Sequence, residues 1–146
     1  MSFLLDTCVI SDLPKKADAG LLEWAAARDP LDLYRSELTL GEIEKGIEFL
    51  TKKHRRKEEL REWCNHDRAR QFGPRLLPLL RPTVVAWGRL TAQEQRTGRP
   101  LPLIDGLLLA AAQIHELTFV TRNTRDAEGR GVPVLNPWSG TAPHAP

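Results

Sequence analysis

Short apolar runs alternate along the chain with longer segments whose apolar residues recur every three or four positions. The short runs have the length of buried strands. They predict strands at residues 2–5, 31–34, 76–79, 117–121 and 132–135. Pro78 places the third strand at an edge of the sheet, because proline has no N–H group to donate to a neighbouring strand.

The segments with helical periodicity predict helices between the strands. They lie at about residues 18–28, 39–50, 55–72, 84–95 and 105–114. Thr39 and Glu42 have the T-x-x-E spacing of a capping box, which predicts that the second helix begins at Thr39. The last helix is apolar around most of its circumference, so we expect it to lie inside the domain.

The alternation of strands and helices predicts an α/β fold with a mainly parallel sheet and helices on both of its faces. The length of 146 residues suits one domain. We expect that domain to span residues 1–138, followed by a flexible C-terminal tail at residues 139–146. Because such folds bind ligands beyond the carboxyl ends of their strands, the residues that follow each strand are the candidates for function.

The composition excludes several classes of protein. Hydrophobic residues make up 41% of the chain, which excludes a disordered or collagen-like protein. Two cysteines, Cys8 and Cys64, form neither a disulfide framework nor a zinc ribbon. The N-terminus lacks the basic head of a secretory signal, and Asp105 interrupts the most apolar stretch. These features predict a reduced, cytoplasmic protein without membrane association.

Four acidic residues are expected at one edge of the sheet. Asp6 follows the first strand, Glu42 follows the second, Asp105 begins the buried helix, and Asp126 lies in the loop after the fourth strand. Two carboxylates 4 Å apart repel by about 4 kcal/mol at an effective dielectric of about 20. Such a cluster requires protonation or a divalent cation, and oxygen ligands favour Mg²⁺ or Mn²⁺ over zinc.

Each of these acids also has a purely structural interpretation. Asp6 suits a helix N-cap, Glu42 suits the capping box, and Asp105 suits a helix dipole. Asp126 suits an ordinary turn. The expected shared position, rather than any one residue, is the signal for a metal site.

Other catalytic classes are less well supported. The sequence has no Gly-x-x-x-x-Gly-Lys stretch and no Gly-x-Gly-x-x-Gly stretch, which excludes a P-loop NTPase and disfavours dinucleotide binding. A nucleophilic Cys8 is conceivable, but acidic surroundings oppose a thiolate. We interpret Cys8 as a small buried residue.

The net charge of +2 does not by itself indicate a nucleic-acid-binding protein, but the positive charges are clustered. Residues 52–57 form a dense basic run, and Arg122, Arg125 and Arg130 flank Asp126. Runs of charge are usually solvated helix faces. Arginines around an acidic, metal-loaded pocket are also suited to hold a phosphodiester.

These segments resemble the PIN-domain ribonucleases, and the last of them resembles the FitB-like subset of VapC toxins. The matching segments are L-L-D-T-C-V-I-S at 4–11, S-E-L-T-L-G-E at 36–42, L-I-D at 103–105, V-T-R-N-T-R-D at 120–126 and N-P-W at 136–138. The resemblance implies a three-layer α/β/α domain that hydrolyses RNA with Mg²⁺ or Mn²⁺. It also implies the toxin of a type II toxin–antitoxin pair.

The resemblance assigns roles to individual residues. Asp6, Glu42, Asp105 and Asp126 would be catalytic and would hold the metal. Thr7, Thr121 and Asn123 would support them, and Arg122 and Arg125 would contact RNA. The expected partners are a VapB-type antitoxin, an RNA substrate such as tRNA or rRNA, operator DNA reached only through the antitoxin, and a second copy of the chain in a homodimer.

The expected reaction is hydrolysis of an RNA phosphodiester by metal-activated water. Two alternatives stay open. One is a module that binds RNA, or binds DNA in complex with the antitoxin, with little catalysis. The other is a metal-dependent DNA nuclease or phosphatase.

Overall fold

A computed structural model of the protein describes residues 1–50, 56–62 and 73–139. Its sheet has five strands in the order β3-β2-β1-β4-β5, and every neighbouring pair is parallel. The strands are β1 (Phe3–Leu5), β2 (Leu33–Ser36), β3 (Leu76–Leu77), β4 (Thr118–Val120) and β5 (Val134–Leu135). The five predicted strands are therefore confirmed, with β3 at an edge as Pro78 indicates.

Helices connect the strands in the described part of the chain. They are α1 (Thr7–Asp12), α2 (Ala19–Ala26), α3 (Glu37–Glu48), α4 (Arg56–Glu62), α5 (Arg81–Thr97), α6 (Leu103–Ile114) and α7 (Thr124–Ala127). Short 3₁₀ turns occupy Leu13–Lys15, Pro30–Asp32 and Gly73–Arg75. None of the described helices combines the length and the hydropathy that a membrane span requires.

The sheet is covered on both faces, which confirms the three-layer α/β/α prediction. Because side chains alternate along a strand, Leu4 of β1 packs with Phe119 and the buried residues of α6 on one face. Phe3 and Leu5 pack on the other face with Val9 of α1. All three residues of β1 are buried, as expected of a central strand in a parallel sheet.

Helix α6 lies inside the domain, as its sequence predicts. Its residues from Gly106 to Ala112 are all buried. It packs against α5, where Gly106 approaches the Trp87 indole so closely that an added Cβ would lie 3.3 Å from the ring. The helix begins at Leu103, two residues before the predicted start at Asp105, so Asp105 lies within its first turn.

The capping-box prediction at Thr39 is wrong. Helix α3 begins at Glu37, and the Ser36 hydroxyl accepts a hydrogen bond of 3.1 Å from the Leu38 N–H group. Thr39 is instead buried within the helix, and Glu42 lies in its second turn. Ser36, the last residue of β2, therefore places the acid-bearing helix directly after its strand.

The segment after β1 forms a helix that the apolar pattern does not predict. Asp6 is the N-cap of α1 and accepts a hydrogen bond of 2.7 Å from the Thr7 N–H group. The structural interpretation of Asp6 as a cap is therefore confirmed, and it leaves the second carboxylate oxygen available for other contacts.

The C-terminal segment is attached to the N-terminal part of the domain. Trp138 is buried in the same cluster as Phe3 and Leu21. Ser139 accepts a hydrogen bond of 2.7 Å from the Gly20 N–H group and donates its own N–H group to Asp18. The rest of the predicted tail lies outside the described residues, as do residues 55 and 63–72 of the predicted helix 55–72.

Candidate active site

Asp6 lies at the carboxyl end of β1, in the middle of the sheet. One carboxylate oxygen caps α1, and the other accepts a hydrogen bond of 2.7 Å from the Thr121 hydroxyl. The backbone N–H group of Asp6 also donates to the Val120 carbonyl across the sheet, at 2.9 Å. Asp6 is thus fixed by the end of the neighbouring strand β4 and by the start of helix α1.

Glu42 reaches the same edge of the sheet from α3. Its Oε1 accepts a hydrogen bond of 2.5 Å from the Thr7 hydroxyl, which belongs to the residue directly after Asp6. The Thr7 hydroxyl also lies 3.5 Å from the hydroxyl of buried Thr39. Thr7 therefore joins the two acids, as expected for a supporting residue.

Asp105 lies in the first turn of α6, and its carboxylate is repelled by those of the other three acids. Its pKa is raised to about 6, first by burial and then by repulsion from Asp6, Glu42 and Asp126. Because electrostatic repulsion falls with distance, this shift indicates that the four carboxylates lie close together. The structure thus brings together all four acids predicted from the strand ends.

Asp126 lies in the short helix α7 rather than in a loop, which corrects the predicted environment of this residue. Its Oδ2 accepts a hydrogen bond of 2.8 Å from the Asn123 side-chain amide. The Asn123 N–H group in turn donates to the Thr121 hydroxyl at 3.1 Å. A continuous chain of hydrogen bonds therefore joins Asp126 to Asp6 through Asn123 and Thr121.

Three of the four acids, Asp6, Asp105 and Asp126, line a small cleft beyond the carboxyl ends of β1 and β4, whereas Glu42 is not among its lining residues. Its polar lining consists of Asp6, Asp105, Thr121, Asn123 and Asp126. The chain leaves β1 toward β2 on one side, whereas β4 pairs with the other side of β1. The cleft thus lies at the topological switch point, where open α/β sheets bind their ligands.

The donor set fits a hard divalent cation, because the clustered carboxylates supply only oxygen ligands. In the part of the chain that the structure describes, however, no three His, Cys, Asp or Glu side chains are already arranged to hold an ion. The carboxylates of Asp6, Glu42 and Asp126 are instead bonded to Thr121, Thr7 and Asn123. In the described arrangement each of these three carboxylates is oriented by a hydroxyl or amide donor.

Comparison with known proteins assigns the fold and site to a family. The model of the PIN domain matches residues 3–129, which include all four acids. The chain belongs to the PIN-domain family. This PIN domain is 29% identical over 136 residues to Toxin FitB of Neisseria gonorrhoeae, a match that covers 92% of this chain and 97% of that protein.

A second curated relative and a solved structure are also similar to this PIN domain over nearly its whole length. The VapC ribonuclease Y4jK of Sinorhizobium fredii is 29% identical over 136 residues, covering 92% of this chain and 96% of that protein. A solved structure of FitAB bound to an IR36 DNA fragment matches with a TM-score of 0.85 at 27% identity. That match covers 97% of this chain and 99% of the other, so the predicted family and fold are confirmed.

Cys8 lies beside the acids of the PIN domain but is not suited to be a nucleophile. Its thiol donates to Asp6 Oδ2 at 3.5 Å. Burial, followed by repulsion from Asp6, raises the thiol pKa to about 12. The thiol therefore stays protonated at neutral pH, which agrees with a packing role in a half-buried position.

The two arginines predicted to contact RNA are exposed at the edge of the cleft. Arg122 lies over the Trp138 ring and 3.8 Å from Asp12, and 67% of its side chain is exposed. Arg125 is exposed on α7, one residue before Asp126. Both side chains are therefore accessible from solvent next to Asn123 and Asp126, although Arg122 also contacts Asp12 and Trp138.

Sequence reasoning did not single out Thr39 as part of the site. The structure places its buried hydroxyl beside Thr7, one turn before Glu42 on α3. A signal was present in the sequence, since Thr39 and Glu42 are three residues apart and therefore share a helix face. That spacing was interpreted as a helix cap.

Proposed function

We propose that this chain is the toxin of a type II toxin–antitoxin pair and acts as a Mg²⁺- or Mn²⁺-dependent endoribonuclease. The observation that carries the proposal is the four-carboxylate cluster at the switch point of a PIN domain, with the Asp105 pKa raised by the other three acids. Support also comes from relatives named as a toxin and as a ribonuclease along nearly the whole chain.

We assign the metal to Asp6, Glu42, Asp105 and Asp126. When bound, a divalent ion would lower the pKa of a water molecule and polarise a phosphate oxygen. The chain's own contribution is to supply negative charge at one place. Thr121, Thr7 and Asn123 orient Asp6, Glu42 and Asp126 through hydrogen bonds, and a carboxylate oxygen has further lone pairs with which to bind an ion.

The cluster also suits proton transfer. One of the carboxylates would orient the attacking water and take its proton. Arg122 and Arg125 would hold the neighbouring phosphates of the RNA. In-line attack would then release a 3′-hydroxyl and leave a 5′-phosphate.

The expected partners follow from the same relatives. Because FitAB was solved on a DNA fragment, we propose that this toxin pairs with a VapB-type antitoxin and reaches operator DNA only through it. A homodimer, residues 1–138 as the catalytic domain, a cytoplasmic location, and tRNA or rRNA as substrate complete the proposal.

The test is RNA cleavage by the purified full-length chain with EDTA, Mg²⁺ or Mn²⁺. We expect cleavage only with a divalent ion, and a loss of at least about 100-fold in Asp6→Asn and Asp105→Asn. Glu23→Gln, an exposed acid on α2, is the matched control and should retain full activity.

Wild-type rates in both site variants would contradict the proposal. Binding of RNA without cleavage under any ion would favour the binding-module alternative, and preference for DNA would favour the DNA nuclease.

A further inference from the structure

The helix that carries Asp126 is too short to hold its own position. Helix α7 has only four residues. The Glu128 N–H group donates a hydrogen bond of 2.9 Å to the Thr124 carbonyl, but so short a helix cannot pair its other backbone groups internally. The carbonyl groups at its C-terminal end need other donors. Three of them, those of Arg125, Asp126 and Glu128, receive hydrogen bonds from arginine side chains.

Two arginines supply these donors. Arg99, in the connection between α5 and α6, donates from Nη2 to the carbonyls of Arg125 and Glu128, both at 3.3 Å. Arg130 donates from Nε to the carbonyl of Asp126 itself at 2.6 Å, and from Nη1 to the carbonyl of Arg99 at 3.0 Å. The two guanidinium groups therefore hold α7 from its C-terminal end, where positive charge is favourable.

Arg130 is fixed in turn by a buried acid. Its Nη1 lies 3.1 Å from Glu94 Oε1 of α5, and only 6% and 5% of the two side chains are exposed. Glu94 Oε2 also accepts a hydrogen bond of 3.3 Å from the Leu101 N–H group, and Leu101 lines the cleft. We name Glu94, Arg99 and Arg130 the arginine clamp.

The local sequence Gly129-Arg130-Gly131 explains how Arg130 turns back toward α5. Both glycines have positive φ, +74° and +79°, which other residues rarely adopt. A Cβ at Gly129 would also lie 3.5 Å from Arg99 Nη1. The two left-handed residues on either side direct the arginine to Glu94.

We propose that the arginine clamp positions Asp126 and thereby sets the affinity of the site for its divalent ion. This inference rests on the proposed function, in which Asp126 helps to hold that ion. None of the three clamp residues lines the cleft, so they are positioning residues and not catalytic ones. They act on the ion indirectly, by fixing the backbone of Asp126.

The test is Mn²⁺ binding by the full-length chain, measured from the EPR signal of free Mn²⁺. We expect Arg130→Lys and Glu94→Gln to raise the Kd for Mn²⁺ by about tenfold, as the loss of an outer support does at metal sites. Arg99→Gln changes an exposed side chain, leaves the core intact, and should raise the Kd in the same direction. Arg96→Gln, exposed on α5, is the matched control and should bind Mn²⁺ like wild type.

A double-mutant cycle separates positioning from a general loss of structure. If the clamp acts through Asp126, Arg130→Lys changes the Kd by less than about twofold once Asp126→Asn is present. An equal loss in both backgrounds would overturn the clamp, and so would wild-type Mn²⁺ affinity in Arg130→Lys, Glu94→Gln and Arg99→Gln. A wild-type chain that does not bind Mn²⁺, or Asp6→Asn that still cleaves RNA, would overturn the proposed function instead.

Discussion

Asp105 lowers the stability of the fold at neutral pH, because the site places its carboxylate close to three others. The folded chain holds this carboxyl half-buried beside three other acids, and its pKa is about 6 instead of 3.8. Between these values the folded state binds more protons than the unfolded state, so stability falls as pH rises. The contribution of the protonated carboxyl is complete below about pH 4 and is lost as pH passes about 6.

Asp105→Asn should therefore stabilise the metal-free protein at neutral pH. We expect a gain of about 1 kcal/mol in the free energy of unfolding at pH 7.5, after allowing for solvent screening of a half-buried group. The gain should largely disappear at pH 4, where Asp105 is already protonated. Urea denaturation with EDTA at both pH values measures it.

The matched control is Glu23→Gln, which removes one negative charge from the exposed face of α2. Its effect on unfolding should be small and equal at the two pH values. A stability gain of Asp105→Asn that persists at pH 4 would show that repulsion among the acids is not its source.

Thr121 is the second residue whose role can be isolated. Its buried hydroxyl donates to Asp6 and accepts from the Asn123 N–H group, so valine would remove both links while keeping the shape of the side chain. We expect Thr121→Val to reduce RNA cleavage by about 10- to 100-fold. Thr118→Val makes the same substitution at the start of β4, three residues before Thr121, and should leave cleavage unchanged. Equal rates in the two variants would contradict a supporting role for Thr121.

Two of the acids could be located from the sequence because each follows an apolar run. Asp6 and Asp126 were placed at strand ends without knowledge of their partners, whereas Thr121 was assigned from the resemblance to the PIN-domain ribonucleases. The hydrogen bonds between them could not be predicted, because they depend on side-chain directions that periodicity does not report. Thr39 illustrates this point, since the same spacing to Glu42 suits a cap and a shared helix face.

At the scale of elements, the ends of helices were harder to predict than their existence. Helix α5 begins at Arg81, three residues before its periodic region, because Pro82 is pre-organised for a first turn. Helix α1 was not predicted because its six residues are too few for a periodic pattern. Caps such as Ser36 decide these ends, and several residues in each segment are able to cap.

The contact between α2 and the C-terminal segment gives a prediction at this scale. A Cβ at Gly20 would lie 2.6 Å from the Ser139 hydroxyl oxygen, 2.8 Å from the Ser139 nitrogen and 3.0 Å from the Pro137 carbonyl oxygen. Backbone atoms must then move, so Gly20→Ala should destabilise the fold by about 1–3 kcal/mol. Chemical denaturation measures the change.

Gly88→Ala is the control for this substitution. Gly88 is exposed in the middle of α5, and no atom lies within 4 Å of its added Cβ. Alanine should therefore stabilise the fold by about 0.4–1 kcal/mol. If Gly20→Ala were also stabilising, the C-terminal segment would not pack on α2 in solution.

At the scale of the molecule, the alternation of strands and helices sufficed to predict a parallel sheet but not the order of its strands. Which strands neighbour β1 depends on contacts between residues far apart in the chain. All three residues of β1 are buried although their side chains alternate between the two faces of the sheet, as expected of a central strand. A continuous apolar run of three residues predicts burial, but it does not identify neighbours.

The net charge of the molecule is small, so its affinity for RNA must come from local charge. We expect Arg122→Gln combined with Arg125→Gln to raise KM for RNA several-fold and to weaken the dependence of KM on salt, with little change in kcat. Initial rates at several salt concentrations measure both effects. Arg89→Gln, exposed on α5, should change neither quantity. If KM depends on salt as strongly in the double variant as in wild type, RNA does not bind at Arg122 and Arg125.

The position of β4 beside β1 has a consequence for the assembly of the cleft. Asp6 precedes Thr121 and Asp126 by more than a hundred residues, and these two follow the strand that pairs with β1. A fragment that stops before residue 118 lacks about half of the residues that line the cleft. Asp6 and Asp126 therefore share one cleft only after β4 has paired with β1.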